Sequence, residues 1–311
     1  MSASRKRDTR NAWGDLMKAS LAVLAVLLAS VPALAAEPQY VELLDTTAEL
    51  SGQGLTVRLA VMNPTDPDRL YRVPYMTVSE GKQEAIEITG VASGFEHPGA
   101  YAWIAEFDPA NDSAEVLFST FTGGAHCCDD IRIADKGADG TWREIEFGQF
   151  DGGVQVQDPD GDGTYEITTV DQSFLYAFDC FACSASPLQI WAIRDGEMVN
   201  VTFEPQYRQS HEEWLLQLED NGTGAETTLG FLGGWVAERV ILGEGEAAWA
   251  DMLRLYDPAV DPGFPVCTIP GVSPYDCPEK ATVTLTFPDA LARHLAENGY
   301  PVPPNATPAV G

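Results

Sequence analysis

Asp158-Pro159-Asp160-Gly161-Asp162-Gly163-Thr164-Tyr165-Glu166 is the stretch from which the rest of the chain is read. Carboxylates stand at its first, third, fifth and ninth places, and Gly163 stands at the sixth. At that spacing a tight turn converges oxygen ligands on one hard cation, and the glycine supplies the positive-φ kink. The run that follows, Glu166 to Val170, has the β-branched character of a strand. The twelfth place is Thr169, not the bidentate glutamate of a helix-loop-helix site. The loop is therefore expected to join two strands and to hold a structural calcium ion. Asp158, Asp160 and Asp162 would offer side chains, Thr164 its carbonyl, and Glu166 a carboxylate directly or through water.

Upstream, Asp108-Pro109-Ala110-Asn111-Asp112-Ser113-Ala114-Glu115 echoes this loop with one residue fewer. No ligand-type residue stands where Asp160 would align, so a second ion is not expected there. A strand and then cysteines follow each loop: Cys127 and Cys128 after the first, Cys180 and Cys183 after the second. A hairpin with a glycine-bearing turn comes next in both, Ile131–Ile133 to Trp142–Phe147 and Leu188–Ile193 to Val199–Phe203. A third hairpin, Val73–Met76 to Ala85–Ile88, reads as a divergent earlier copy. Short runs rich in Val, Ile, Tyr, Phe and Trp fill residues 40–203, including one at Phe174–Phe178. Repeats are placed at about 100–150 and 151–204. A period near 50 made of short strands predicts blade-like antiparallel sheets, as a partial propeller or a sandwich.

The second loop resembles the calcium loops of FG-GAP or VCBS repeats, in which such a turn joins strands of an integrin-type β-propeller. The resemblance covers about residues 108–203, and only the second copy matches in full. It implies a structural ion in a protein that binds or scaffolds a partner elsewhere. Gly123-Gly124-Ala125-His126-Cys127 also resembles a segment of exported bacterial proteins carrying these repeats, and it implies no activity.

The six cysteines first read as disulfides in an exported chain. Bridges from Cys127 and Cys128 to Cys180 and Cys183 are expected across the repeats, and a local bridge between Cys267 and Cys277. The competing arrangement is a thiol-based metal or redox centre of His126, Cys127, Cys128, Cys180 and Cys183. Against a redox role, Cys180-x-x-Cys183 follows a strand and lacks the helix N-terminus that lowers a thiol pKa.

Residues 1–36 read as a signal peptide. They carry a basic leader, an apolar run from Leu21 to Leu34 and the small-x-small site Ala33-Leu34-Ala35. The expected location is periplasmic or secreted, with no membrane span in the mature chain. Removing the leader leaves 13 basic and 45 acidic side chains. That charge repels nucleic acid and anionic membranes. The partner expected is a protein or a glycan.

After residue 205 the pattern becomes helical. Ser210-x-x-Glu213 reads as a capping box, Leu229–Leu242 and Glu246–Tyr256 as helices, and Pro288–Glu297 as a last helix closed by Asn298-Gly299. The fold expected is mainly β over 37–204 with a smaller helical portion over 205–300 and a disordered tail over 301–311. His211, beside Glu212 and Glu213, reads as a surface residue. No carboxylate pair stands out as acid and base, so no catalytic residue is assigned. A hydrolase with a site between the β and helical parts is the remaining alternative.

Overall fold

Alternating burial along the strands decides how the sheets stack. In the computed structural model, which describes residues 36–63, 71–125, 127–222, 227–269, 271–272 and 276–306, the strands after the first come in chain order as successive meanders, and the first strand joins the edge of the second meander. They are β1 (Gln39–Glu42), β2 (Thr47–Gly52), β3 (Leu55–Met62), β4 (Val73–Glu80), β5 (Gln83–Thr89), β6 (Ala100–Ala105), β7 (Glu115–Phe121), β8 (Asp129–Lys136), β9 (Trp142–Phe150), β10 (Gln155–Gln157), β11 (Glu166–Val170), β12 (Leu188–Arg194) and β13 (Glu197–Asn200). Hydrogen bonding orders them as β2-β3-β4-β5, β1-β6-β7-β8-β9 and β10-β11-β12-β13, with every pairing antiparallel.

Leu55, Val57 and Leu59 alternate along β3 and bury with Met76, Val78 and Ile88 of the same meander. They meet Ala102, Ile104, Val116 and Phe118 of the second meander in one cluster. Each of these larger side chains contributes about 1.5–3 kcal/mol when fully buried. The first two meanders thus pack through their apolar faces.

The helical part comprises α1 (Arg208–Gly222), α2 (Leu229–Ile241), α3 (Gly245–Leu255) and α4 (Phe287–Glu297), with a small ribbon of β14 (Phe264–Cys267) and β15 (Thr282–Leu285). The chain is mainly antiparallel β with a smaller helical C-terminal part, as the patterning predicts. A second cluster, built on Phe174, Trp235, Val236, Trp249, Met252, Phe287 and Leu291, holds the helices together. Glycines let α2 lie close to the segment before β12. A Cβ on Gly234 would stand 2.2 Å from the Ala185 carbonyl oxygen. Thr228 caps α2 by accepting from the Phe231 N–H and donates to the Cys183 carbonyl at 2.6 Å.

Several expectations are corrected. Phe174–Phe178 is not a strand. Asp171 accepts from the Ser173 N–H and starts a one-turn 3-10 helix over Gln172–Phe174, a local bond that competes with a ladder. Ser210 does not cap α1, because a 3-10 turn over Pro205–Tyr207 runs straight into the helix at Arg208. The cysteines do not bridge the repeats. Cys127 pairs with Cys128 across a cis peptide, Cys180 with Cys183 and Cys267 with Cys277. The 3-10 turn Phe181–Cys183 folds Cys183 back to a Cα separation of 5.0 Å from Cys180. That lies inside the roughly 4.4–6.8 Å span of disulfides. The tail expected to be disordered from Pro301 is packed as far as Ala306, which is buried, while Asn305 donates to the Glu246 carbonyl. Residues 307–311 and the leader over 1–35 lie outside the described residues.

Candidate metal centre

The loop from Asp158 is the turn between β10 and β11, and Glu166 is the first residue of β11. Its backbone is wrapped around its own carboxylates. Asp158 Oδ1 accepts from the N–H groups of Gly161 at 2.8 Å and Asp162 at 3.1 Å, and Oδ2 from Gly163 at 3.1 Å. Asp160 Oδ1 accepts from Asp162 N–H at 3.2 Å. Gly163 takes φ +93°, the conformation that its place in the loop predicts.

Carboxylate oxygens of Asp158, Asp160 and Glu166 all lie within 4.8 Å of one another. Two oxygens on opposite sides of a calcium ion, each at about 2.4 Å, are about that far apart, so the three can share one ion. Asp162 is not in that group. Its Oδ1 accepts from the Thr164 N–H at 2.7 Å and shapes the turn. Thr164, expected to act through its carbonyl, sits at the end of the same turn.

Glu166 is 3% exposed. Its Oε1 accepts from the Tyr207 hydroxyl at 2.9 Å, and its Oε2 has no hydrogen-bond partner among the described residues. Burial, with the neighbouring aspartates, pushes this carboxyl up to about 8 against the pull of the Tyr207 bond. Burial and the same neighbours also raise Asp160. A buried carboxylate oxygen facing other carboxylates is costly without a cation. The donor set therefore fits a hard divalent ion.

The first loop occupies the same topological place, between β6 and β7, and Glu115 opens β7. There the protein itself satisfies the acid. Glu115 Oε2 accepts from the N–H groups of Phe107 and Asp108 at 2.7 and 2.9 Å, and Oε1 from Asn111 Nδ2 at 3.1 Å. Asp108 Oδ2 accepts from Gly196 N–H in the turn between β12 and β13. The Asn111 amide thus supplies the positive hydrogens that the second loop lacks.

The set of His126, Cys127, Cys128, Cys180 and Cys183 is not assembled as thiols. His126 lies outside the described residues, and none of the described cysteines is free. Asp179 lies with Cys180 and Cys183 in a cluster that could bind a metal only after reduction of their disulfide.

Three arrangements have no signal in the sequence, because their members are far apart along it. Tyr207 reaches Glu166. His211 is buried, with Nδ1 2.7 Å from Glu238 Oε1 and Nε2 2.9 Å from the Thr202 carbonyl, which corrects its reading as a surface residue. Ser173 Oγ lies 3.3 Å from His294 Nε2 beside a cleft lined by Phe178 and Phe264.

A protein of Synechocystis described as "Probable thylakoid lumen protein sll0997" is 34% identical over 240 residues, covering 74% of this chain and 69% of that protein. The chain belongs to the sll0997 family. The family's C-terminal domain, described as "sll0997 C-terminal domain", matches residues 207–299, which are α1 to α4 and the β14–β15 ribbon. Tyr207, the residue that touches Glu166, is the first residue of that match. "Uncharacterized protein y4bJ" of Sinorhizobium fredii is 34% identical over 239 residues, 74% of this chain and 37% of that protein. The chain thus spans little more than a third of the rhizobial relative. No solved structure matches the chain. Among the described residues, no helix is long and apolar enough to cross a membrane.

Proposed function

We propose that this member of the sll0997 family is an exported, calcium-stabilised β-repeat protein with a binding or scaffolding role. The observation that carries the reading is Glu166, whose buried Oε2 has no hydrogen-bond partner among the described residues and whose carboxylate lies within 4.8 Å of those of Asp158 and Asp160. Asp158, Asp160 and Glu166 hold the ion, Asp162 shapes the turn, and Thr164 adds its carbonyl. The ion supplies positive charge where the first loop uses Asn111.

An FG-GAP or VCBS-type ancestry is supported by three successive runs of four consecutive antiparallel strands, β2–β5, β6–β9 (with β1 added at the β6 edge) and β10–β13, the last two of which carry the acidic loop between their first and second strands. Export is supported by the leader, by three disulfides and by the lumenal description of the cyanobacterial relative. Calcium titration by calorimetry and thermal melts tests the loop. Calcium is expected to raise the melting temperature, and Asp160→Ala to abolish that rise. An unchanged response in Asp160→Ala would end the reading.

A second reading, a hydrolase acting between the β and helical parts, rests on the Ser173–His294 contact. Burial lowers the His294 pKa, which suits a general base. Labelling of Ser173 by a fluorophosphonate probe would support it. No labelling of the folded protein would remove it.

A further inference from the structure

A cleft of about 340 Å³ opens between α1 and the face of the third meander. One wall is Gln155 and Gln157 of β10 with Thr168 of β11. Gln155 and Thr168 are register partners, so their side chains share a face, and Gln157 donates to Gln155 at 2.9 Å. The other wall is Ser210, Glu213, Trp214 and Gln217 of α1. These four stand at i, i+3, i+4 and i+7, which is one stripe of a helix. A stripe turned toward a sheet is ordinarily apolar. Here three of its four members are polar, so the space between helix and sheet is lined for hydrogen bonding. Leu188 lies at the apolar inner end, in the cluster of Ile190, Val201 and Tyr207 against which Trp214 packs.

We propose that this cleft binds a neutral saccharide. The lining carries no Lys, Arg or His, and Asp151 and Glu213 add carboxylates, so an anionic ligand is disfavoured. The amides of Gln155, Gln157 and Gln217 and the hydroxyls of Thr168 and Ser210 offer both donors and acceptors. Trp214 supplies an apolar ring, and its Nε1 donates to the Ser186 carbonyl at 3.0 Å, which holds the indole in place. A ligand that matches this set is uncharged, rich in hydroxyls and apolar on one face, which describes a sugar ring. The volume is at the small end of ligand sites, about 300–1,000 Å³. A terminal unit fits better than a long chain.

The inference also rests on the calcium reading. The Asp158 loop is the turn that joins β10 to β11, the two strands of the first wall. Glu166 accepts from Tyr207, which directly precedes α1, the second wall. An ion in the loop therefore ties both walls together, and pre-forming a site raises its affinity.

The test is calorimetry and saturation-transfer NMR on the purified protein with cellotetraose, maltotetraose, xylotetraose and chitotetraose, in calcium and in EGTA. At least one sugar is expected to bind in calcium. Trp214→Ala should weaken it at least about tenfold, while Trp214→Phe, which keeps a ring, should retain most of the affinity. Gln155→Ala with Gln157→Ala, both on the exposed edge strand, should weaken it severalfold without lowering the melting temperature. EGTA should weaken it at least about tenfold. Binding of none of the four sugars overturns the proposal. So does sugar binding indifferent to both the Trp214 and glutamine variants, or preferential binding of spermidine. If calcium binds and sugar affinity is the same in EGTA, the tie between ion and cleft is refuted. If calcium does not bind but a sugar still binds through Trp214, the calcium reading has failed and the saccharide cleft stands.

Discussion

Replacing His211 with Ala should be among the most damaging single changes in the helical part. The His211 ring is 1% exposed and Glu238 is 0% exposed. Both ring nitrogens face acceptors, Glu238 Oε1 at 2.7 Å and the Thr202 carbonyl at 2.9 Å. Glu238 Oε2 accepts in turn from the Leu188 N–H at 2.9 Å. The ring and the carboxylate form one buried hydrogen-bonded pair. It joins β12, α1 and α2 at one point. Burial raises the Glu238 pKa, and the His211 bond opposes that rise. Removing the ring leaves Glu238 Oε1 and the Thr202 carbonyl without their donor in a site closed to solvent. Breaking a buried pair from one side costs about 3–5 kcal/mol. For a chain of this size each kcal/mol shifts the melting temperature by roughly 2–4 °C, so a fall of roughly 6–20 °C is expected. Glu238→Gln is the contrasting variant. Its amide can donate to Nδ1 of a neutral His211, which still donates from Nε2 to Thr202, and its oxygen can accept from Leu188. That exchange should cost less than about 1 kcal/mol. Differential scanning calorimetry of the three proteins decides the matter. A loss of only a few tenths of a kcal/mol for His211→Ala would refute the reasoning. A Glu238→Gln variant as unstable as His211→Ala would refute the expected tolerance of the amide.

Asn111→Asp replaces the donor that satisfies Glu115 with another acceptor; in EGTA the melting temperature should drop by the equivalent of about 1–3 kcal/mol, with calcium restoring part of it. No drop in EGTA would show that the amide is not needed. Burial holds His294 below its ordinary value of about 6.5, so unfolded chains take up a proton at a pH where folded ones do not. Its contribution to stability is complete above that ordinary value and is lost as pH falls through the folded value. Melts from pH 7.5 downward should show the loss, and a slope as steep in His294→Gln would contradict it. Paired Cys267→Ser and Cys277→Ser changes should lower the urea midpoint by the equivalent of roughly 2–3 kcal/mol, because the bridge closes a short loop. An unchanged midpoint would mean that the bridge adds nothing to global stability.

Features governed by neighbours along the chain were legible. Residues 158–166 could be read as a turn leading into a strand because side-chain type, glycine placement and strand period are local properties. The hairpins after each cysteine pair appear as β8–β9 and β12–β13 for the same reason. The Cys267–Cys277 bridge and the helices α2, α3 and α4 were likewise visible, with ends shifted by a residue. The local rule failed where a stronger local bond competed, as Asp171 does at Ser173.

What only the tertiary structure decided was convergence across long separations. Nothing near Glu166 names Tyr207, 41 residues on, and nothing near His211 names Glu238. Which carboxylates of the turn meet, and which one instead holds the backbone, depends on where β11 is anchored. Glu166 becomes a demanding, half-paired acid only because the meander and the start of α1 close over it. Ser210, Glu213, Trp214 and Gln217 of α1 become one wall of a cleft only because the third meander lies opposite. Spacing along the chain selects the donor groups. Burial and distance, which arise only on folding, decide which of those groups meet and which are left without a partner.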